Sequence, residues 1–195
     1  MNPNTARATG VGMQRSETYD RATIALHWST TGLVLILWLI GTFLEDLLPK
    51  GAVRSGIWSA HFDLGFVLAG IIVALPLWRR FGGRRLPVDD PGALHILAKA
   101  THAALYALLF VIAGLGIANA LVRGVALAGP LALPAIGDPA WRRPLTHWHG
   151  VAANILMALA LFHAAAALVH HYLWHDGILR RILPGRAACP TSERR

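Results

Sequence analysis

Ten histidines stand in a chain with three tyrosines and one cysteine, and imidazole is the side chain that most often ligates a metal. Two of them, His149 and His163, are fourteen residues apart. In an α-helix that is almost four turns, so both lie on one face, about 21 Å apart along the axis. His170 continues the stripe seven residues on, whereas His147 points to the opposite side and His171 about 100° away. An isolated histidine near the end of an apolar run is ordinarily an interfacial or packing residue. A stripe of them is different, because a polar ring in hydrocarbon is costly and turns into the bundle, where it serves a function. The single cysteine, Cys189, stands near the C-terminus. That leaves no CxxC metal knuckle and no CxxCH for covalent haem, so histidine must supply the ligands.

The elements that carry these rings are legible from charge. Stretches free of Asp, Glu, Lys and Arg run from Ala22 to Leu44, Ala100 to Val122 and Pro144 to His175 (23, 23 and 32 residues), each longer than the about 20 residues a helix needs to cross a bilayer. A fourth apolar run, Ser55 to Trp78, is interrupted only by Asp63 near its start. The uncharged segment 124–137 is too short and too rich in Gly and Pro to span. With 55% hydrophobic and 14% charged residues and a mean hydropathy of +0.48, the composition is that of a lipid-embedded chain. The net charge of +8 comes from arginines clustered between apolar runs rather than from a basic face on a soluble module, which excludes nucleic acid as a partner.

Placing the N-terminus inside puts 13 Lys and Arg on inner segments and 5 on outer loops, so the bias of basic residues sets both termini in the cytoplasm. The expected fold is all-α: a membrane-embedded four-helix bundle of residues 19–185, a flexible polar leader at 1–18 without a removable signal peptide, and a polar tail at 186–195. Trp58, Trp78, Trp141 and Trp174 fall near span ends, as an interfacial belt would.

Depth then pairs the histidines. His27 lies near the inner end of the first span and His61 near the outer end of the second. The fourth span runs from outside to inside, so His149 is shallow on the outer side and His163 lies deeper toward the inner side. His61 therefore pairs with His149 and His27 with His163. Two bis-histidine sites stacked across a bilayer are what a transmembrane electron path requires, since each saturates an iron with two neutral nitrogens. The implied cofactors are two b-type haems. Gly32, Gly65 and Gly70 near the ligands either make room for a flat macrocycle or pack helices through small residues. Tyr19, Arg21, Arg54 and Arg142 are candidates for holding haem propionates, or flank the helices as positive ends. His102, three residues after Lys99 at the inner end of the third span, reads as a packing or interfacial residue, with help to a quinone or propionate near the inner haem as the alternative; His95 and His175 receive no role.

The segments YDRATIALHW (Tyr19–Trp28), WHGVAAN (Trp148–Asn154) and FHAAAALVHHYLWHD (Phe162–Asp176) resemble the bacterial cytochrome b561 family, four-helix dihaem proteins of the inner membrane, over residues 18 to 185. Carried over by motif, the family's ligands fall on His27, His61, His149 and His163, with none in the third span. The resemblance further implies an oxidoreductase of the superoxide oxidase type, which takes an electron from superoxide outside the cytoplasm and passes it to ubiquinone in the membrane, with His170 and His171 near the quinone. A quinone carbonyl needs a donor that also delivers a proton, and His170, about 10 Å along the ligand face from His163, fits that need. Outer-side Lys50, Arg54, Arg123, Arg142 and Arg143 outnumber Glu45, Asp46 and Asp138, so Arg54, Arg142 and Arg143 are expected to draw a small anion toward the outer haem. Two other readings compete. The chain could be an anchor subunit passing electrons between quinol and a periplasmic redox partner, or a histidine-lined metal transporter, although its spans hold almost no carboxylate beyond Asp63.

Overall fold

A computed structural model describes residues 18–84, 86, 92–127 and 132–184. Cys189, the leader up to residue 17, the tail from 185, and Arg7, Arg15, Arg85, Arg186, Arg194 and Arg195 lie outside the described residues. Four long helices follow in order: α1 (Arg21–Leu47), α2 (Ala52–Phe81), α3 (Ala93–Arg123) and α4 (Arg142–Val169). All four are long and apolar enough to cross a membrane, and the described residues form no strand beyond one isolated bridge between Ala126 and Ala132. α2 and α3 overrun their apolar stretches at both ends, because Lys and Arg carry their charge to the headgroups on long apolar stems; α3, for instance, starts at Ala93 rather than Ala100. The fourth span is not one continuous α-helix to His175. It passes into a π turn at His170–Trp174, and a short helix, α5 (Ile178–Ile182), follows.

Neighbouring helices pack in chain order, and α1 closes the ring against α4. The fully buried apolar core is thin, with Leu68, Ile72, Leu109 and Leu156 at its centre. Large apolar side chains such as Leu35, Val73, Val111 and Leu161 face outward instead, as a hydrocarbon solvent permits. The described chain begins before α1 and finishes after α5 at the same end of the bundle, called the terminal end below. The segment after α3 folds back over the far end, where Ile136 N donates to Leu121 O at 2.8 Å and Leu133 N to Val125 O at 2.9 Å. It turns at Gly124, which has φ +65°, and a Cβ there would come within 2.9 Å of Ala135; only glycine satisfies both conditions.

The terminal end is tied together by one carboxylate. Asp20 caps α1: its Oδ1 accepts from Thr23 N at 2.9 Å and from the Trp78 indole at 2.8 Å, and its Oδ2 accepts from the Thr23 hydroxyl at 2.7 Å and Arg84 N at 3.1 Å. Tyr19 N donates to Arg181 O at 3.0 Å and the Trp28 indole to Ile182 O at 2.9 Å, which fastens α5 to the start of α1. Trp78 is thus a structural tie as well as an interfacial ring. Desolvation works against the Asp20 charge, yet the bonds from Thr23, Trp78 and Arg84 outweigh it and hold the carboxyl well below the usual carboxylate range.

Because the folded-state value is depressed, the stabilisation is complete above the ordinary carboxylate pKa of about 3.9 and fades as pH falls through the lower folded value. Asp20→Ala is expected to cost about 1 kcal/mol. Asp20→Asn should cost nearly as much, since an amide nitrogen cannot accept the pair of bonds made by one carboxylate oxygen. Thermal unfolding in detergent should show both losses at pH 7, with the difference from wild type narrowing only in strong acid.

Candidate functional site

At the far end the four helices enclose a cavity of about 310 Å³. His61 and His149 both line it, from α2 and α4, together with Trp38, Trp58, Gly65 and Gly116. Their ring centroids are 6.3 Å apart, with planes crossed at 70°. Two imidazoles bound to opposite sides of one metal at about 2.0 Å would have centroids about 6 Å apart, so the gap matches a shared ion. His149 Nδ1 lies 3.1 Å from Ile112 O; a carbonyl only accepts, so Nδ1 carries the proton and Nε2 keeps the lone pair a metal needs. His61 Nδ1 is buried without a hydrogen-bond partner among the described residues, as expected of a ring whose surroundings are completed by a bound group.

Small residues give this pair its room. A Cβ on Gly116 would press to 3.2 Å from His149 Cε1, and one on Gly41 would meet His61 Cε1 at 3.7 Å. At Gly32, Gly65 and Gly70 a Cβ would meet nothing within 4 Å. No neighbouring helix packs that closely against those three, so the small-residue packing alternative does not account for them. Polar groups collect where the cavity is lined by Asn119 and Thr146. Arg123 donates to Asn119 at 2.9 Å and to the Thr146 hydroxyl at 2.9 Å, and the Trp38 indole donates to Asn154 at 2.9 Å.

Toward the terminal end a second set of rings gathers. His27 on α1 is within electrostatic reach of His163 on α4 and of His102 on α3, and its Nδ1 is also buried without a partner among the described residues. His102 meets His163 edge to face at 5.0 Å between centroids, too close for a metal between those two rings by the spacing argument above. His102 is exposed and turns its Nδ1 to Ala98 O at 2.7 Å. Among the described residues no three His, Cys, Asp or Glu side chains converge to hold a bare metal ion. Paired imidazoles suit a metal whose other ligands come with it, as in a haem.

The four histidines selected by helical phase and depth are all half-buried, while His102, His147 and His175 are exposed. His170 Nδ1 is hydrogen-bonded to Asp176 Oδ2. His171 is half-buried, with its ring 4.8 Å from that of Tyr172. Arg54 is held by Glu45 at 2.6 Å, Arg142 reaches Val122 O at 3.3 Å, and Arg143 is exposed. Tyr19 is occupied at the terminal end, with the Arg79 guanidinium 5.8 Å over its ring. Sequence reasoning missed several contributors. Trp58 lines the cavity 5.4 Å from His61, although its place near a span end suggested only a belt residue. Asn119 and Arg123, four apart on one face, could have been noticed as a polar pair; their meeting with Thr146 could not, since it joins two helices.

Residues 18–185 match the family described as prokaryotic cytochrome b561. The chain is 31% identical to cytochrome b562 of Cereibacter sphaeroides over 182 residues, covering 89% of this chain and 100% of that protein. It is 30% identical to the probable superoxide oxidase CybB of Yersinia pestis over 176 residues, 85% of this chain and 96% of that one. To cytochrome b561 homolog 2 of Escherichia coli it is 26% identical over 172 residues, covering 86% and 92%. With four membrane-long helices and histidine rings facing one another across a cavity that they line, the chain belongs to the prokaryotic cytochrome b561 family of bacterial electron-transfer membrane proteins, which bind b-type haem.

Proposed function

We propose that this chain is a dihaem oxidoreductase of the bacterial inner membrane with both termini in the cytoplasm, oxidising superoxide on the periplasmic side and reducing ubiquinone in the bilayer. His61 and His149 hold the outer haem and His27 and His163 the inner one. The observation that carries this reading is the 6.3 Å separation of the His61 and His149 rings across the cavity. When bound, haem supplies the one-electron iron couple. The chain's own groups do the rest. The Ile112 carbonyl fixes the His149 ring, Gly41 and Gly116 leave the ligand imidazoles their space, and the apolar walls exclude water. Arg123, with Asn119 and Thr146, offers donors to a carboxylate at the mouth of the cavity. Similarity to the probable superoxide oxidase supports the substrate, and the surplus of basic groups at the far end supports attraction of a small anion. Glu45 offsets Arg54, so that attraction rests mainly on Lys50, Arg123, Arg142 and Arg143. His170 serves the quinone on the cytoplasmic side.

Ligation gives the first test of this reading. His149→Ala should lose about one haem of two while His147→Ala keeps both, because a ligand supplies the bond itself and its neighbour two positions away points elsewhere. Pyridine-haem assays of the two purified variants read this directly, and equal loss from both would overturn the assignment. The second test concerns the substrate. The isolated protein should reduce ubiquinone with superoxide as donor. Arg142→Glu combined with Arg143→Glu should slow that reaction about tenfold at low ionic strength, with full haem and a difference that closes as salt rises. A haem-replete preparation with no superoxide-dependent quinone reduction would favour an anchor subunit serving a periplasmic redox partner.

A further inference from the structure

The π turn that ends the fourth span sets up a contact unused so far. Asp176 follows His175, whose φ is +53°, and precedes Gly177 at φ +74°. These left-handed residues swing the chain back on itself, so that Asp176 N donates to His170 O at 3.3 Å. Both carboxylate oxygens are then engaged. Oδ2 accepts from His170 Nδ1, and Oδ1 accepts from Ile178 N at 3.1 Å. The Trp174 ring stands edge-on to His170 at 4.4 Å between centroids and restricts its rotation. Because a carboxylate only accepts, the proton of the shared contact sits on Nδ1, and Nε2 is the nitrogen available to a ligand. The His170 and Asp176 side chains are 23% and 30% exposed. The following helix, α5, is fastened beside Trp28, the neighbour of His27. The pair therefore lies at the terminal end of the bundle, between apolar helix and water, on the helix that carries His163.

We propose that His170 and Asp176 form a proton-delivering dyad for the quinone, with His170 as the donor and Asp176 as the residue that positions it and balances its charge. The proposal rests on the quinone reading above. Reduction of one quinone to quinol consumes two electrons and two protons. The electrons come from two superoxide anions, each oxidised to dioxygen. As the electrons arrive, the protonated His170 ring breaks its Nε2–H bond and an O–H bond forms at the quinone oxygen that faces it. Asp176 keeps the Nδ1 proton in place meanwhile, and water on that side reprotonates Nε2. The second quinone oxygen, at the opposite end of the ring, takes its proton from water. Imidazole orientation by a carboxylate and proton transfer at the opposite nitrogen is an economical way to do general acid work at neutral pH.

Asp176 also accepts from Ile178 N at the start of α5, and asparagine separates the two roles, because its side-chain oxygen accepts that bond as a carboxylate oxygen does. The test uses the dithionite-reduced holoprotein in detergent, mixed in a stopped-flow instrument with a short-chain ubiquinone or with ferricyanide, which needs no proton. Asp176→Asn should keep the haem spectrum and the ferricyanide rate, and slow reoxidation by quinone about tenfold or more. Nitrogen-15 NMR of labelled histidine should show the Nδ1-protonated His170 ring in wild type and its loss in the variant, a readout independent of turnover. Unchanged quinone kinetics in Asp176→Asn would reduce the residue to a partner of Ile178 N and overturn the dyad. Equal slowing with both acceptors would overturn it too, by moving the effect to the haem. A wild-type protein that ferricyanide reoxidises and quinone does not would instead remove the quinone reading on which the dyad depends.

Discussion

A nitrogen with a lone pair or a proton to share is expensive inside hydrocarbon, and the arrangement of this bundle follows from that cost. His61 and His149 resolve it by facing one another across a cavity at a spacing suited to a metal; His149 also gives its second nitrogen to Ile112 O. His27 and His61 each keep one buried nitrogen without a partner among the described residues, which is tolerable only if a bound group completes their surroundings. Among the described residues the other buried side-chain nitrogens and oxygens have hydrogen-bond partners. The indole of Trp38 has Asn154, and Asn119 has Arg123.

The thin protein core has the same origin. In lipid, helices gain little from apolar burial against one another, so a bundle coheres through close contact and through the polar ties at its ends. Asp20 supplies such a tie at one end, joining the start of α1 to the end of α2. The segment after Gly124, folded over α3, and the contacts of Arg123 and Arg142 supply another at the other end. Between these clamps the glycines beside His61 and His149 leave the centre open. A large flat group bound there would supply packing that the side chains do not, which couples cofactor binding to folding.

The spans were legible because hydrocarbon imposes a length and a purity that few other environments demand. Helical phase also separated His149 from His147 before any coordinates, since two residues change the direction of a side chain by about 200°. What depends on chain reversal was not legible. Asp176 meets His170 only because the helix widens into a π turn and two left-handed residues follow, and no apolar periodicity announces that. Arg54 read as a candidate for a haem propionate or for drawing an anion, yet it folds back on Glu45 across the turn between α1 and α2. His102 read as a packing or interfacial residue with a place near the inner haem as the alternative; the structure sets it against His163, a contact between α3 and α4 that spacing along one helix could not establish.

The central claim is that four histidines hold two haems, each with two axial imidazoles. It is tested most directly by the haem-to-chain ratio of the purified protein, measured together with its low-temperature electron paramagnetic resonance spectrum. The account predicts two haems per chain, both six-coordinate and low-spin in the oxidised state. One haem per chain, or a high-spin signal from a site with an open position, would contradict it.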